Sequence, residues 1–126
     1  MNALMWVIQG LLAAAFLAHG LLLVFPPAAV AEQMNATLPR WFQLFLGVAE
    51  VLAAVGLTLP GLTRIKPWLI PCAAVGIMIV MICATVLHAD RGEIGSAVTT
   101  LVLLLLATAV AYVRWRVAPI RSRTTA

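Results

Sequence analysis

The chain has 126 residues, is 64% hydrophobic and only 10% charged, and carries a formal net charge of +4. A soluble globular domain is about half apolar and about a quarter charged, and a soluble chain this short is excluded because it could not bury so much apolar surface. The positive charge does not indicate nucleic acid as a partner, since the chain has no recognition module and no interleaving of aromatic and basic residues.

The first apolar segment, residues 3–25, predicts a membrane-spanning helix that ends before Pro26 and Pro27. About 20 apolar residues are needed to cross a hydrocarbon core about 30 Å thick. The Ala-Val-Ala sequence at 29–31 is typical of a signal-peptidase site, so a cleaved signal is the alternative. We expect an uncleaved helix, because no Lys or Arg precedes the run and because the run is longer than the roughly 7 to 15 residues of a signal sequence.

Three further apolar segments predict helices over residues 41–59, 68–88 and 94–113. The connections 61–67 and 89–93 are short, so the last three helices should be antiparallel neighbours. The segments lack the alternation of membrane strands and are about twice their length, which excludes a barrel. The prediction is an all-α, integral membrane four-helix bundle with up-down-up-down topology and a single membrane domain over residues 1–126.

Basic residues set the expected orientation, because cytoplasmic loops carry an excess of Lys and Arg. With both termini in the cytoplasm, the inside holds Arg64, Lys66 and the four arginines of a basic tail over residues 114–126, whereas the outside holds only Arg40 and Arg91. We therefore expect a protein of the bacterial inner membrane with both termini cytoplasmic. The lipid bilayer is its expected partner, with the tail on an anionic leaflet surface.

The two cysteines, Cys72 and Cys83, lie in the third segment. Eleven residues of helix separate them by about 16 Å along the axis, whereas a disulfide needs Cα atoms within about 7 Å. The chain has no CxxC motif, which disfavours a dithiol oxidoreductase. We interpret both cysteines as packing residues.

Glu50 is an acidic residue deep in the second segment. It follows Trp41 by nine residues, which places it about 14 Å into a core about 30 Å thick. A carboxylate there costs at least about 2.5 kcal/mol, so it should face protein or water. Gly47, Glu50 and Ala54 share a face of the kind that packs against another helix. Glu50 is thus a candidate proton carrier, general acid or base, or ligand anchor, and the structural alternative is a polar clasp between helices.

The remaining candidate residues gather in the outer half of the membrane: His19, Arg40, Gln43, Thr85 and His88. We expect a polar pocket open toward the outer side, with Glu50 as its floor and His19 and His88 as its walls. Several of these residues have a simpler interpretation: an interfacial location for His88 at the end of its helix, snorkelling for Arg40 and a bond from Thr85 to its own helix. His19 lies deeper, and the two interpretations stay open for it. The inner half is expected to be packing, with few polar residues.

Metal binding is not expected. Two histidines in separate helices could ligate haem, but His19 lies about 9 Å deeper than His88, which does not suit one iron atom. Zinc accepts His and Glu ligands, but no close-spaced ligand pair such as HExxH accompanies them. We predict no metal site.

Short motifs spread along the chain carry a resemblance to a known family. They are Phe16 to Gly20, Gly47-x-x-Glu50 with Leu59-Pro60-Gly61, Pro67-Trp68-Leu69, and Ala84 to His88 leading into Arg91-Gly92-Glu93. In their order and spacing the chain resembles the DoxX-like family of small four-helix membrane proteins over most of its length. That family commonly places a Lys one turn after the first glycine, where this chain has leucines, so a His19–Glu50 pair is expected instead of a Lys–Glu pair.

The resemblance implies two classes of function. Some members of the family are subunits of quinone-linked sulfur oxidation or of membrane oxidoreductase complexes, and similar folds occur in membrane chaperones and in lipid- or sterol-handling proteins. The first hypothesis is an accessory subunit of a membrane redox system that binds a quinone or lipid, with Glu50 exchanging a proton and a histidine bonding a carbonyl oxygen.

The first hypothesis requires a partner, since the chain has no flavin, nicotinamide or iron–sulfur motif and electrons must come from another membrane redox protein. The alternative is a non-enzymatic lipid-binding or assembly factor. Transport would require a homo-oligomer. The residues alone leave open whether the chain is an enzyme, and they assign no catalytic residue.

Overall fold

The computed structural model describes residues 2–123 as a set of helices, and no strand occurs in that range. The elements, in chain order, are α1 Asn2–Val24, α2 Ala28–Thr37, α3 Arg40–Thr63, α4 Leu69–Asp90 and α5 Ile94–Tyr112, which continues into a π-helical turn, Val113–Val117. Four of these helices are long and apolar enough to cross a membrane. The predicted all-α membrane bundle is therefore confirmed.

The helices pack in chain order around the bundle, with α1 against α3, α3 against α4 and α4 against α5. Their shared core contains Leu12, Leu57, Ile70, Ile77 and Val110, which are almost fully buried. Large apolar side chains cover much of the outer surface, as expected where the surroundings are lipid.

The beginning of α1, the end of α3, the beginning of α4 and the segment after α5 meet at one end of the bundle. A Cβ added to Gly61 would lie within 3.0 Å of side-chain atoms of Trp6, Ile70 and Ile120. We call this the terminal end. The opposite end, where Arg40 contacts the last residues of α1 and where α4 connects to α5, is called the loop end.

Two regions differ in detail from the expected segment boundaries. Residues 28–37, between the first two spans, form helix α2, which begins after Pro27 and has no buried residue. Helix α3 continues through Pro60 to Thr63 and ends at Arg64 in the left-handed conformation. Pro60 removes only one backbone donor, and a membrane helix tolerates this because neighbouring groups and helices satisfy the freed carbonyl.

Candidate functional site

Helices α1 and α3 contribute a hydrogen-bonded pair, His19 and Glu50, between the two ends of the bundle. The imidazole Nδ1 of His19 lies 2.7 Å from Oε2 of Glu50, so an N–H at that position donates to the carboxylate. The side chain of Glu50 is 5% exposed, whereas that of His19 is 59% exposed. The pair therefore joins a buried acid to a residue at the surface of the protein.

A close crossing of α1 and α3 positions this pair. Gly20 follows His19, and Gly47 lies one turn before Glu50. A Cβ added to either glycine would lie 2.8 Å from the carbonyl oxygen of the other. Two facing glycines let helix backbones approach closely, and this approach brings the imidazole within reach of the carboxylate.

A groove between α3 and α4 begins at Glu50, and we call it the α3–α4 groove. Its volume is about 650 Å³, within the range of small-molecule sites. It extends from Glu50 and Val80 near the middle of the bundle to Leu59, Pro60 and Leu69 at the terminal end. Among the described residues that line it, Glu50 is the one acidic side chain.

Small residues shape the α3–α4 groove. A Cβ added to Gly56 of α3 would lie 2.9 Å from Cβ of Ala73, so the two helices touch there. A Cβ added to Gly76 would have no atom within 4 Å, and Gly76 lines the groove. Because glycine has no side chain, Gly76 leaves space that forms part of the groove.

The groove differs from the pocket expected from the sequence in its direction and its lining. The sequence predicts a pocket that opens away from the termini, toward the loop end, whereas the groove runs from Glu50 toward the terminal end. The other candidates do not line it: His19, His88, Arg40, Gln43 and Thr85. Of these, the structure brings only His19 into contact with Glu50.

Arg40 and Gln43 form a separate cluster at the loop end. Arg40 donates from Nη1 to the carbonyl of Leu23 at 2.7 Å and from Nη2 to that of Val24 at 2.6 Å. These carbonyls end α1 and have no partner within the helix. Gln43, fully buried, donates to Leu38 O at 2.8 Å and to Oδ1 of Asn35 in α2 at 3.0 Å. The cluster thus fixes the connection between the first two spans.

Thr85 and His88 contact residues near the start of α5. The hydroxyl of Thr85 lies 2.7 Å from Met81 O, in its own helix, and 2.8 Å from Oγ1 of Thr100 in α5. His88 pairs with Glu93 in the short connection between α4 and α5. Within residues 2–123 no group of three or more His, Cys, Asp or Glu residues could hold a metal ion.

A sequence model of the DoxX-like family matches residues 7–110, a range that includes the His19–Glu50 pair and the whole α3–α4 groove. The chain belongs to the DoxX-like family. Comparison with curated proteins and with solved structures finds no match. The family and the four apolar helices together make this DoxX-like chain an integral membrane protein.

The DoxX-like chain also contains a buried polar network at its terminal end, which sequence reasoning missed. Arg114 is 3% exposed and donates from Nε to Oε1 of Gln9 and from Nη1 to Oδ1 of Asn2. Gln9 in turn donates to Leu57 O at 2.6 Å, and the guanidinium lies over the ring of Trp6, 5.5 Å from its centroid.

This network corrects the expectation that the half of the bundle near the termini contains little but packing, and it places Arg114 inside the bundle, not in a surface tail. The signal available in the sequence was Gln9, an amide within an apolar segment that needs a polar partner. The family match ends at residue 110, so Arg114 lies outside it.

Proposed function

We propose that this DoxX-like protein binds a quinone in the α3–α4 groove and serves as an accessory subunit of a membrane redox system. The observation that carries the proposal is a long apolar groove with a single buried carboxylate at its end. An isoprenoid or other apolar tail would lie along the groove, and the polar ring would lie at Glu50.

The depth of Glu50 favours a quinone over a phospholipid. Glu50 lies ten residues after the start of α3, which is about 15 Å from the loop end and near the middle of the hydrocarbon core. A charged headgroup is costly at that depth, whereas a neutral ring with two oxygen atoms is not. The ligand that fits is therefore apolar with a small neutral polar end.

Glu50 has the hydrogen-bonding capacity that such a ring requires. Its Oε2 is bound to His19, and no side chain of residues 2–123 donates to Oε1. A carboxylate Oε1 accepts from a quinol hydroxyl, and a protonated one donates to a quinone carbonyl. Electron transfer is assigned to a partner protein, in keeping with the redox complexes in which relatives of the family occur.

Organic extraction of the purified protein tests this proposal. Wild type is expected to contain quinone in near-stoichiometric amount, measured by absorbance and mass spectrometry. Gly76→Phe, which fills the groove, should abolish this quinone, and Glu50→Gln should reduce it. Gly10→Phe is the matched control, because Gly10 also has no atom within 4 Å of an added Cβ but does not line the groove. Equal extracts from all four proteins, or extracts with only bulk phospholipid, would overturn the proposal.

A second candidate function is a non-enzymatic binder of lipids or membrane helices that assists assembly. It is favoured by Gly76, which lines the groove and has no atom within 4 Å of an added Cβ, since small residues let a further helix approach closely. Under this candidate, cross-links from the groove would reach a protein and no quinone would be extracted.

A further inference from the structure

Arg114 has one side-chain nitrogen without a hydrogen-bond partner in the described part of the chain. Its Nη2 is buried, and no hydrogen-bond acceptor among residues 2–123 reaches it, although Nε and Nη1 are bonded. A buried guanidinium is costly unless an anion pairs with it. Gln9 and Asn2 are neutral, so the described residues around Arg114 provide acceptors but no negative charge.

The terminal end has no acidic side chain to supply that charge. The four acidic residues lie in α2, in the middle of α3, or at the connection between α4 and α5: Glu32, Glu50, Asp90 and Glu93. Six of the eight basic residues lie at the terminal end: Arg64, Lys66, Arg114, Arg116, Arg121 and Arg123. A partner that neutralises Arg114 must therefore come from outside the side chains of this protein.

Arg114 lines a cavity at the terminal end. Its volume is about 400 Å³, and its lining includes Lys66, Trp68 and Ser122. The cavity thus combines a guanidinium, an ammonium and a hydroxyl, all of which can donate hydrogen bonds to phosphate oxygens. Pro67 and Ile120 complete an apolar side.

Lys66 lies in a loop whose backbone conformation is fixed by neighbouring contacts. Arg64 and Lys66 have φ angles of 58° and 49°, in the left-handed region that non-glycine residues rarely adopt. The N–H of Arg123 donates to Arg64 O at 2.9 Å, which ties the loop between α3 and α4 to the segment after α5. Strained residues of this kind persist where the surroundings fix them, and they cluster at binding sites.

Exposed aromatic residues indicate that the cavity lies at the level of the lipid headgroups. Trp68, Tyr112 and Trp115 are exposed at the terminal end, and exposed Trp and Tyr mark the interface between membrane and water. Phosphate groups of lipids occupy this level, and their acyl chains would continue along the apolar helices.

We propose that this cavity binds the phosphate of an anionic lipid headgroup, with Arg114, Lys66 and Ser122 as donors. The proposal does not depend on quinone binding, because the α3–α4 groove and this cavity share no lining residue. Lipid is the favoured source of the phosphate because the cavity lies among interfacial aromatic residues.

Native mass spectrometry tests the proposal with protein reconstituted in phosphatidylglycerol or phosphatidylcholine. Wild type is expected to retain phosphatidylglycerol preferentially. Lys66→Gln should weaken retention by about ten-fold or more, the effect of losing one bond to a charged group. Arg114→Lys keeps the charge but loses the planar guanidinium, and should also weaken retention. Arg116→Gln is the matched control, since it removes one positive charge from an exposed position outside the cavity.

Three outcomes of this experiment support or overturn the proposed lipid site. Loss of phosphatidylglycerol in Lys66→Gln and Arg114→Lys, with retention in Arg116→Gln, supports the site. Equal retention by wild type and all three variants overturns it. Saturable binding of inorganic phosphate that displaces the lipid, lost in Lys66→Gln, supports phosphate chemistry at the cavity but overturns the assignment to lipid. Quinone content of Lys66→Gln should match wild type, which separates this proposal from the proposed function.

Discussion

Gly20 and Gly47 bring the backbones of α1 and α3 into contact, with the carbonyl oxygen of each lying 2.8 Å from where a Cβ of the other would stand. This separation is shorter than side-chain carbon atoms tolerate, and the obstructing atoms belong to backbone. The contact also determines where Glu50 and His19 meet, because each is one turn or less from one of the glycines. The crossing and the central pair are therefore parts of one arrangement.

Gly47→Ala is expected to destabilise the protein by about 1–3 kcal/mol, the usual penalty for overpacking a close contact. Unfolding in mixed micelles, followed by circular dichroism, measures this loss. Gly10→Ala is the control, because Gly10 lies in the interior of α1 with no atom within 4 Å of an added Cβ. There the higher helix propensity of Ala should leave stability equal or slightly raised. Equal stability of the two variants would show that the backbones are not in contact.

The His19–Glu50 hydrogen bond should be measurable as a coupling energy. Stabilities of His19→Ala, Glu50→Gln and the double variant form a cycle, and we expect a coupling of about 0.6–1.7 kcal/mol, as for polar contacts within membranes. His88→Ala combined with Glu50→Gln is the control, because His88 bonds to Glu93 instead. The effects of these two substitutions on the free energy of unfolding should add to within about 0.5 kcal/mol. If the effects of His19→Ala and Glu50→Gln on stability are also additive, the hydrogen bond between the two side chains is contradicted.

The transmembrane fold could be predicted from the sequence because apolar length alone determines which segments cross a bilayer. Helix α2 could not be predicted in this way, because residues 28–37 are not apolar enough for a membrane span and none of them is buried. The end of α3 was placed before Pro60 because proline usually interrupts a helix. In the structure the helix continues to Thr63, whose hydroxyl bonds to Leu59 O at 2.8 Å.

The site was less accessible to sequence reasoning than the fold. Glu50 and His19 stand out as polar residues in apolar segments, and the structure places them together. The groove depends on how α3 and α4 cross at Gly56 and Ala73, which a single sequence does not specify. The contact of Arg114 with Gln9 spans 105 positions, and Arg114 lies in a π-helical turn, which is a rare conformation.

Arg40→Ala is expected to loosen the C-terminal turn of α1. Two carbonyls there, Leu23 O and Val24 O, lose a charged donor, which should lower stability by about 1–2 kcal/mol. Hydrogen exchange followed by mass spectrometry should show faster exchange in a peptide covering residues 17–30. Arg91→Ala is the control, since Arg91 is also basic, exposed and at the loop end but donates no side-chain bond to any residue from 2 to 123. Equal exchange rates in both variants would contradict a stabilising role for the bonds from Arg40 to the end of α1.

Cys72 and Cys83 provide a built-in comparison for occupancy of the α3–α4 groove. Both thiols are exposed, both lie in α4, and only Cys72 lines the groove. Addition of a short-chain quinone to the protein in micelles is expected to slow alkylation of Cys72 by N-ethylmaleimide by about three-fold or more, which corresponds to roughly two-thirds occupancy by mass action. The rate at Cys83 should not change, and Gly76→Phe should remove the protection at Cys72. Equal slowing at both cysteines would indicate a general effect on the micelle, and no slowing at either would place the quinone elsewhere.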